Sequence, residues 1–248
     1  MPEVTTGTTP PGTETEQQAA AWVQQMFAGV APRYDLLNHL LSFNVDRAWR
    51  KVLLRSLAPV LSQPNATVLD LCCGTGDVLF DLKRVAKARV LGADFCHPML
   101  VSARQKSAGK NLPAQLFEGD ALTLPLADES LDAISIAFGF RNLTNYRGGL
   151  AEFARILKPG GVLAILEFSH PRGALTAAAY GFYSRTILPW VGGLVSGSRS
   201  AYTYLPESIE KFPKAEQLER LMTECGFSQT QFHLLSGGIA ALHTGVRY

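Results

Sequence analysis

The chain has 248 residues, 47% of them hydrophobic and 18% charged, which suits one α/β domain with a normal buried core. Its formal net charge is only +2, with Lys and Arg spread along the chain. This excludes the clustered basic face of a nucleic-acid-binding protein. No apolar stretch has the roughly 20 residues of a membrane span or the form of a signal peptide. The four cysteines form no CxxC pair, so we expect no metal site and a cytoplasmic location.

The N-terminal part divides into a polar start and a helical region. Residues 1–16 are rich in Thr, Pro, Gly and Glu, a composition that cannot bury itself, so we expect a disordered tail. Residues 17–248 are predicted to form a single domain, in which residues 17–60 make an N-terminal helical cap. Three segments of this cap have helical patterns: Gln17–Ala28, Tyr34–Leu41 and Val45–Leu57.

Strand and helix patterns alternate in the middle of the chain. The predicted strands are short and apolar: Thr67–Cys72, Arg89–Asp94, Gln115–Glu118, Leu131–Phe138 and Val162–Phe168. Helices are predicted between them: Val78–Val85, Pro98–Ser107 and Arg147–Leu157. Strands that are apolar on both faces and separated by helices indicate a parallel sheet that is covered on both sides.

The C-terminal part breaks this alternation. Residues 173–206 are rich in Ala, Tyr and Gly and are interpreted as an inserted substrate cap. After a helix over Lys214–Cys225, strands over Gln229–Leu235 and Ile239–Arg247 flank a Ser-Gly-Gly turn and predict a hairpin. The expected fold is a Rossmann-like, mostly parallel seven-stranded sheet with an antiparallel C-terminal hairpin. That layout resembles the class I S-adenosylmethionine-dependent methyltransferases.

Candidate cofactor residues follow three successive strands. Gly74, Thr75 and Gly76 follow the first strand. Asp94 ends the second, where an acid can accept hydrogen bonds from ribose hydroxyls, and Asp120 with Ala121 follows the third, where a carboxylate and backbone can hold an adenine edge. In open α/β sheets, ligands bind at the carboxyl ends of strands. A glycine turn or a strand-end acid is often purely structural by itself, but three together predict a nucleoside site.

The loop after the first strand favours S-adenosylmethionine over NAD. In a dinucleotide fingerprint that starts at Gly74, the third glycine position would be Leu79. Asp77 would place a negative charge beside the phosphates. S-adenosylmethionine has no phosphate and carries cationic groups, so acidic residues such as Asp70 and Asp77 suit it.

Several motifs are shared with one family. They are MFAGVAPRYDLLNHLLSFNVDRAWR at Met26–Arg50, LDLCCGTGD at Leu69–Asp77, AFGFRNL at Ala137–Leu143, LEFSHP at Leu166–Pro171, YLPESI at Tyr204–Ile209 and GGIAALHTG at Gly237–Gly245. From about Met26 to Tyr248, the sequence resembles the ubiquinone/menaquinone biosynthesis C-methyltransferases. Cys72, Cys73 and Ala137 depart from residues that are frequent in the family.

The resemblance implies methyl transfer from S-adenosylmethionine to a ring carbon of a polyprenylated quinol. Demethylmenaquinol is the favoured substrate, and 2-polyprenyl-6-methoxy-1,4-benzoquinol is the alternative. Another small-molecule methyltransferase, an NAD(P)-dependent oxidoreductase and a non-catalytic module with the same fold are the remaining rival readings. The cofactor residues that the motifs imply are Gly74, Thr75, Gly76, Asp94, Asp120 and Ala121.

Four residues are candidates for the chemistry. Arg141 could stabilise a phenolate on the acceptor ring, or pair with a carboxylate to hold its loop. His243 could act as a general base, or be an ordinary buried histidine of an apolar strand. Tyr34, beside Asp35, could contact the ring or serve only at a helix entry. Asn142 could position the Arg141 loop or the ring hydroxyl.

The cap over residues 173–206 is a candidate contact for the prenyl tail and the membrane. Its aromatic and apolar residues, Phe182, Tyr183, Leu188, Trp190 and Tyr202, could lie at the inner face of a membrane or form an ordinary cap core. Arg185 and Arg199 could meet anionic head groups. The expected partner is a polyprenylated quinol, with peripheral membrane contact and a homo-oligomer left open.

Overall fold

Seven strands form one sheet in the computed structural model, which describes residues 7–31, 44–173, 181 and 199–248. The strands are β1 Thr67–Leu71, β2 Arg89–Asp94, β3 Gln115–Glu118, β4 Leu131–Ala137, β5 Leu157–Phe168, β6 Phe227–Leu235 and β7 Ala240–Arg247. Their order across the sheet is β3-β2-β1-β4-β5-β7-β6. The first five strands pair in parallel, and β7 runs antiparallel between β5 and β6. The predicted parallel sheet with a C-terminal hairpin is thus observed.

Helices cover both faces of this sheet. Those that connect parallel strands are α4 Asp77–Val85, α5 His97–Lys110 and α6 Tyr146–Ile156, and the others are α1 Glu16–Val30, α2 Val45–Ser56, α3 Ala58–Leu61, α7 Arg199–Lys211 and α8 Ala215–Glu224. Short 3₁₀ turns occupy Phe140–Asn142 and Ser236–Gly238. Among the described residues, no helix has both the length and the apolar character needed to cross a bilayer.

The apolar pattern of the strands builds two core layers. Successive side chains of a strand point to opposite faces, so Val68 of β1 packs with α2, α3 and α4 while Leu69 packs with α6 and α8. Ala164 and Ile165 of β5 divide in the same way. Because both faces are buried, the strands must be apolar throughout, which made them easy to predict.

The structure differs from the expectations at the ends of the chain. Residues 7–16 were expected in a disordered tail, but Thr8 is buried and donates its backbone N–H to the Leu143 carbonyl at 2.8 Å. Thr15 then caps α1 through the Gln18 N–H. The tail prediction is therefore wrong for residues 7–16, because polar residues there find partners far along the chain.

Two other boundaries also move. Strand β5 begins at Leu157 rather than Val162, and α7 continues through Pro206 to Lys211, past the predicted end of the cap. The segment Tyr34–Leu41 and most of the cap over residues 173–206 lie outside the described residues.

Candidate functional site

A cavity lies at the carboxyl ends of β1, β2, β3 and β4. Helix α1 closes one side of it with Ala20 and Phe27. Gln24 of the same helix donates to the Phe95 carbonyl at 2.7 Å, which ties α1 to the loop after β2. The cavity therefore lies where parallel α/β sheets bind ligands, beneath the N-terminal helix.

The loop after β1 is shaped by left-handed backbone. Gly74 has φ of +55° and Gly76 has φ of +87°, which glycine adopts without steric cost. A Cβ at Gly76 would also lie 2.8 Å from the Phe80 ring. Gly74 lines the cavity and donates its N–H to Asp94 Oδ2 at 2.8 Å. The loop thus joins the ends of β1 and β2.

Asp94 is the carboxylate in the cavity wall. It is 6% exposed, and its Oδ1 accepts the Cys96 N–H at 2.9 Å. Burial raises the pKa of Asp94 to about 6, although backbone N–H groups oppose the rise. No Lys or Arg pairs with Asp94 among the described residues. The cavity wall therefore carries an acidic group that a cationic ligand would stabilise in its charged form.

Asp70 adds a second acidic group behind the wall. It is 1% exposed and accepts a hydrogen bond from the Ser135 hydroxyl at 2.7 Å, while its Oδ2 has no partner in the described part of the chain. Burial raises the pKa of Asp70 to about 7. Both carboxylates thus make this half of the site favourable for positive charge.

The third predicted loop also reaches the cavity. Gly119, Asp120 and Ala121 line it, and Asp120 Oδ1 accepts the Leu122 N–H at 2.9 Å to close the turn. The sequence therefore placed four of its six cofactor candidates, Gly74, Asp94, Asp120 and Ala121, on the cavity wall.

Thr75 and Gly76 shape the loop but are not on that wall. Thr75 is buried, and its hydroxyl accepts a hydrogen bond from Lys106 at 2.9 Å. Lys106 also contacts Asp77 at 3.0 Å, and Arg50 contacts Asp77 at 2.9 Å. The expectation that Asp77 favours a cationic cofactor is thus not supported, because two side-chain cations already balance its charge.

The residues on the wall fit S-adenosylmethionine. No Lys or Arg lines the cavity among the described residues, so nothing there would balance a pyrophosphate. Apolar neighbours, Leu71, Phe95 and Met99, offer surface for a nucleoside, while Asp94 offers a carboxylate. A phosphate-free ligand with cationic groups matches this combination.

Behind the wall at the other end of the cavity, Arg141 forms a buried ion pair next to the wall residue Phe138. Its Nη1 lies 3.0 Å from Glu167 Oε1, and the two side chains are 7% and 1% exposed. Its backbone N–H donates to Glu167 Oε2 at 3.1 Å, and the guanidinium lies 5.4 Å from the Phe168 ring centroid. Burial raises the pKa of Glu167, while Arg141 opposes the rise. The loop-holding alternative for Arg141 is therefore the one that the geometry supports.

Phe138 connects this ion pair to the cavity wall. It lines the cavity with φ of +58°, an unusual conformation for a bulky residue. Its carbonyl accepts hydrogen bonds from the Arg141 guanidinium and, at 3.4 Å, from the Asn142 amide. Its ring packs 4.9 Å from Phe168 and 6.1 Å from Trp49. Phe138 thereby fixes both polar candidates beside an aromatic wall.

The remaining catalytic candidates differ in their position relative to the cavity. Asn142 lines the cavity, as a substrate contact requires. His243 does not: it is 2% exposed, and its Nε2 bonds the Ala215 carbonyl at 3.0 Å. Burial lowers the pKa of His243 to about 4, so a role as general base is not supported. Tyr34 and Asp35 lie outside the described residues.

Four residues contribute to the site without having been predicted from the sequence. Glu167 is the one acidic residue in an apolar strand, a signal that it has a buried partner. Phe138 belongs to the same motif as Arg141, AFGFRNL, but nothing in the sequence shows its positive φ. Ala20 and Phe27 reach the cavity through tertiary packing, for which the helical pattern of α1 gives no direction.

Comparisons with known proteins agree with this site. The model of the ubiE/COQ5 methyltransferase family matches residues 13–247. The chain belongs to this family. Membership confirms the predicted enzyme class, a methyltransferase, and the predicted cofactor, S-adenosylmethionine.

Named relatives of this family member cover nearly its whole length. A demethylmenaquinone methyltransferase of Deinococcus radiodurans is 46% identical over 93% of this chain and 94% of its own. One of Thermus thermophilus is 47% identical over 90% of this chain and all of its own. A ubiquinone/menaquinone biosynthesis C-methyltransferase UbiE of Dinoroseobacter shibae is 40% identical over 99% of both chains.

Solved structures share the fold. A SAM-dependent methyltransferase from Aquifex aeolicus matches with a TM-score of 0.59 and 19% identity, over 80% of this chain and 89% of its own. A Haemonchus contortus phosphoethanolamine N-methyltransferase in complex with S-adenosyl-L-methionine matches with a TM-score of 0.60 and 14% identity, over 80% of this chain and 52% of its own. These likenesses confirm the class I methyltransferase fold.

Proposed function

We propose that this methyltransferase transfers a methyl group from S-adenosylmethionine to a ring carbon of demethylmenaquinol, giving menaquinol, S-adenosylhomocysteine and the proton that the ring C–H loses. The observation that carries the proposal is one cavity with two distinct halves, an acidic half with Asp94 and Asp120 and a half lined by Phe138 and Asn142. Relatives at 46% and 47% identity with the name demethylmenaquinone methyltransferase support the choice of acceptor. The demethylated benzoquinol of ubiquinone biosynthesis is the second candidate, because relatives named UbiE match at about the same coverage.

The acidic half would hold the methyl donor. Asp94 and Asp120 offer carboxylate oxygens, and Phe95 and Met99 offer apolar surface beside them. When bound, S-adenosylmethionine supplies an electrophilic methyl group on a positively charged sulfur. Ala20 and Phe27 of α1 cover one side of the cavity, and reduced access of water on that side would strengthen the electrostatic interactions inside.

The half lined by Phe138 and Asn142 would hold the acceptor ring. A quinol carbon becomes a strong nucleophile when the adjacent hydroxyl is ionised, so a donor that stabilises the phenolate would accelerate transfer. Asn142 lines the cavity and can donate from its amide. The Arg141–Glu167 pair keeps the Asn142 loop in place and adds little net charge. Alignment of the two reactants can supply roughly 7–11 kcal/mol of the barrier reduction.

Turnover with a panel of acceptors tests this function. Purified protein, trideuteriomethyl S-adenosylmethionine and one reduced acceptor are incubated, and the products are identified by mass spectrometry. We expect a trideuteriomethyl group on the ring of a prenylated naphthoquinol. Product from the methoxy-benzoquinol alone would favour the second candidate, and product only from catechols or amines would contradict both.

Peripheral membrane contact is part of the proposal, since a polyprenyl chain resides in the bilayer. A vesicle assay tests it with the full chain, anionic lipid vesicles and an added prenylated naphthoquinone. We expect co-sedimentation that rises with anionic lipid content. Protein that stays in the supernatant with and without quinone would count against a membrane face.

A further inference from the structure

Tyr204 connects three parts of the molecule beside the cavity. It is 4% exposed and begins the YLPESI motif, for which the mechanism above has no use. Its hydroxyl donates to Asn142 Oδ1 at 3.1 Å and lies 2.8 Å from Thr8 Oγ1. Its ring lies 5.0 Å from the Trp22 ring of α1. One buried side chain thus bridges the N-terminal segment, helix α1 and a wall residue of the cavity.

The direction of these hydrogen bonds follows from proton counting. A tyrosine hydroxyl has one proton, and it is donated to Asn142, so Thr8 must donate to the tyrosine oxygen. Burial raises the pKa of Tyr204, so the proton stays in place at neutral pH. The Asn142 carbonyl oxygen is therefore engaged away from the cavity.

The opposite end of the Asn142 amide is then fixed as well. Its Nδ2 has two hydrogens, and one points to the Phe138 carbonyl at 3.4 Å. The second is left for a ligand on the cavity side that Asn142 lines. Without the tyrosine proton, the amide could rotate and turn its carbonyl oxygen toward a negatively charged ring oxygen, which would repel it.

We propose that Tyr204 is a positioning residue that holds the Asn142 amide with its N–H toward the oxygen of the bound quinol. This inference rests on the proposed function for the identity of that oxygen. The competing role for Tyr204 is a structural staple that fastens residues 7–16 to α7. Removal of its hydroxyl would then affect folding stability and leave the alignment of the acceptor unchanged.

A set of three variants separates the two roles. Tyr204→Phe keeps the ring packing against Trp22 and removes the proton, so we expect kcat to fall about tenfold with the dissociation constant of S-adenosylmethionine unchanged. Asn142→Ala removes the amide, and we expect a fall of about 10²-fold. Because Tyr204 acts through Asn142, the double variant should be no slower than Asn142→Ala alone.

Thr8→Val is the matched control. It removes the other hydrogen bond of the tyrosine and leaves the bond to Asn142 in place. We expect its Tm to fall as much as that of Tyr204→Phe, with kcat within about twofold of the wild type. Equal losses of kcat in the two variants, or multiplied losses in the double variant, would overturn the positioning role.

A second readout does not depend on the acceptor. In protein labelled with ¹⁵N-asparagine, the Asn142 side-chain NH₂ signals are assigned by their loss in Asn142→Ala. We expect two dispersed, slowly exchanging resonances in the wild type and averaged, fast-exchanging ones in Tyr204→Phe. Unchanged signals would overturn the inference even if a different acceptor is found, whereas a wild type inactive on every quinol would contradict only the proposed function.

Discussion

The two halves of the cavity handle charge in opposite ways. In the cofactor half, Asp94 and Asp70 are buried without a cationic partner among the described residues, and burial raises the pKa of both. Behind the acceptor half, Arg141 and Glu167 are just as buried but neutralise each other at 3.0 Å. The acidic groups of the first half have no counter-charge among the described residues, whereas the charges next to the second half balance each other. The difference indicates that the donor half recognises charge and the acceptor half provides a rigid, nearly neutral wall.

The largest expected effect comes from breaking the neutral pair. Glu167→Ala leaves the Arg141 guanidinium buried without its carboxylate, and we expect a loss of about 3–5 kcal/mol in the free energy of unfolding. Denaturant titration measures it. The paired change Arg141→Met with Glu167→Gln should recover most of that loss, since no uncompensated charge remains.

Activity of the paired variant decides what Arg141 contributes. Recovery of stability without recovery of methylation would show that the guanidinium also acts on the acceptor. Recovery of both stability and methylation would show that Arg141 only holds its loop in place.

Removal of the charge of Asp70, which has no cationic partner among the described residues, should stabilise the protein at high pH instead of destabilising it. The pKa of Asp70 rises from 3.8 when unfolded to about 7 when folded, so the folded state binds more protons between these values. Wild-type stability without ligand should therefore fall as pH rises from about 4 to about 7. Asp70→Asn lacks this loss and should exceed the wild type at pH 8 by about 2–4 kcal/mol. Parallel pH profiles for the two proteins would contradict the assignment.

The loops after β1 and β4 approach each other closely where the two halves of the cavity meet. Cys72 has φ of +55°, and a Cβ at Gly139 would lie 2.3 Å from the Cys72 Cβ. Gly139→Ala should cost about 1–3 kcal/mol by overpacking and weaken cofactor binding. Cys72→Gly removes the obstructing atoms and suits the positive φ, so the double variant should recover both properties. If the double variant did not recover them, the contact with Cys72 would not be the cause of the losses in Gly139→Ala.

The smallest effect is expected at Asp77, whose charge is already balanced. Asp77→Asn leaves Arg50 paired with Asp46 at 3.2 Å, so we expect a loss of stability of no more than about 1 kcal/mol. The affinity for S-adenosylmethionine should stay within about threefold of the wild type by calorimetry. A much larger loss of affinity would show that Asp77 does contribute to cofactor binding.

The sheet and the strand-end loops could be predicted because their signals are local. Apolar strands, glycine turns and the acids at the strand ends stand in the sequence itself, and Asp94 and Asp120 were found in this way. The Arg141–Glu167 pair was foreseen only as an alternative without a named partner, since the two residues are 26 positions apart.

Contacts of still longer range could not be predicted. Thr8 and Tyr204 are 196 positions apart, and a polar segment with no local partner resembles a disordered tail. His243 had a useful chemistry for catalysis, but its distance from the cavity follows from the position of β7 between β5 and β6. Periodicity specifies the elements, and only their assembly shows which side chains meet.

Proton release on cofactor binding tests the central contrast most directly. S-adenosylmethionine is titrated calorimetrically into the protein at pH 6, in two buffers with different ionisation enthalpies. Hydrogen bonds from ribose hydroxyls and the positive charge of the ligand both favour the charged form of Asp94, so we predict binding with release of protons, most of which disappears in Asp94→Asn. S-adenosylhomocysteine, without the sulfonium charge, should release fewer. Equal binding enthalpies in the two buffers, or no binding of either compound, would contradict the account.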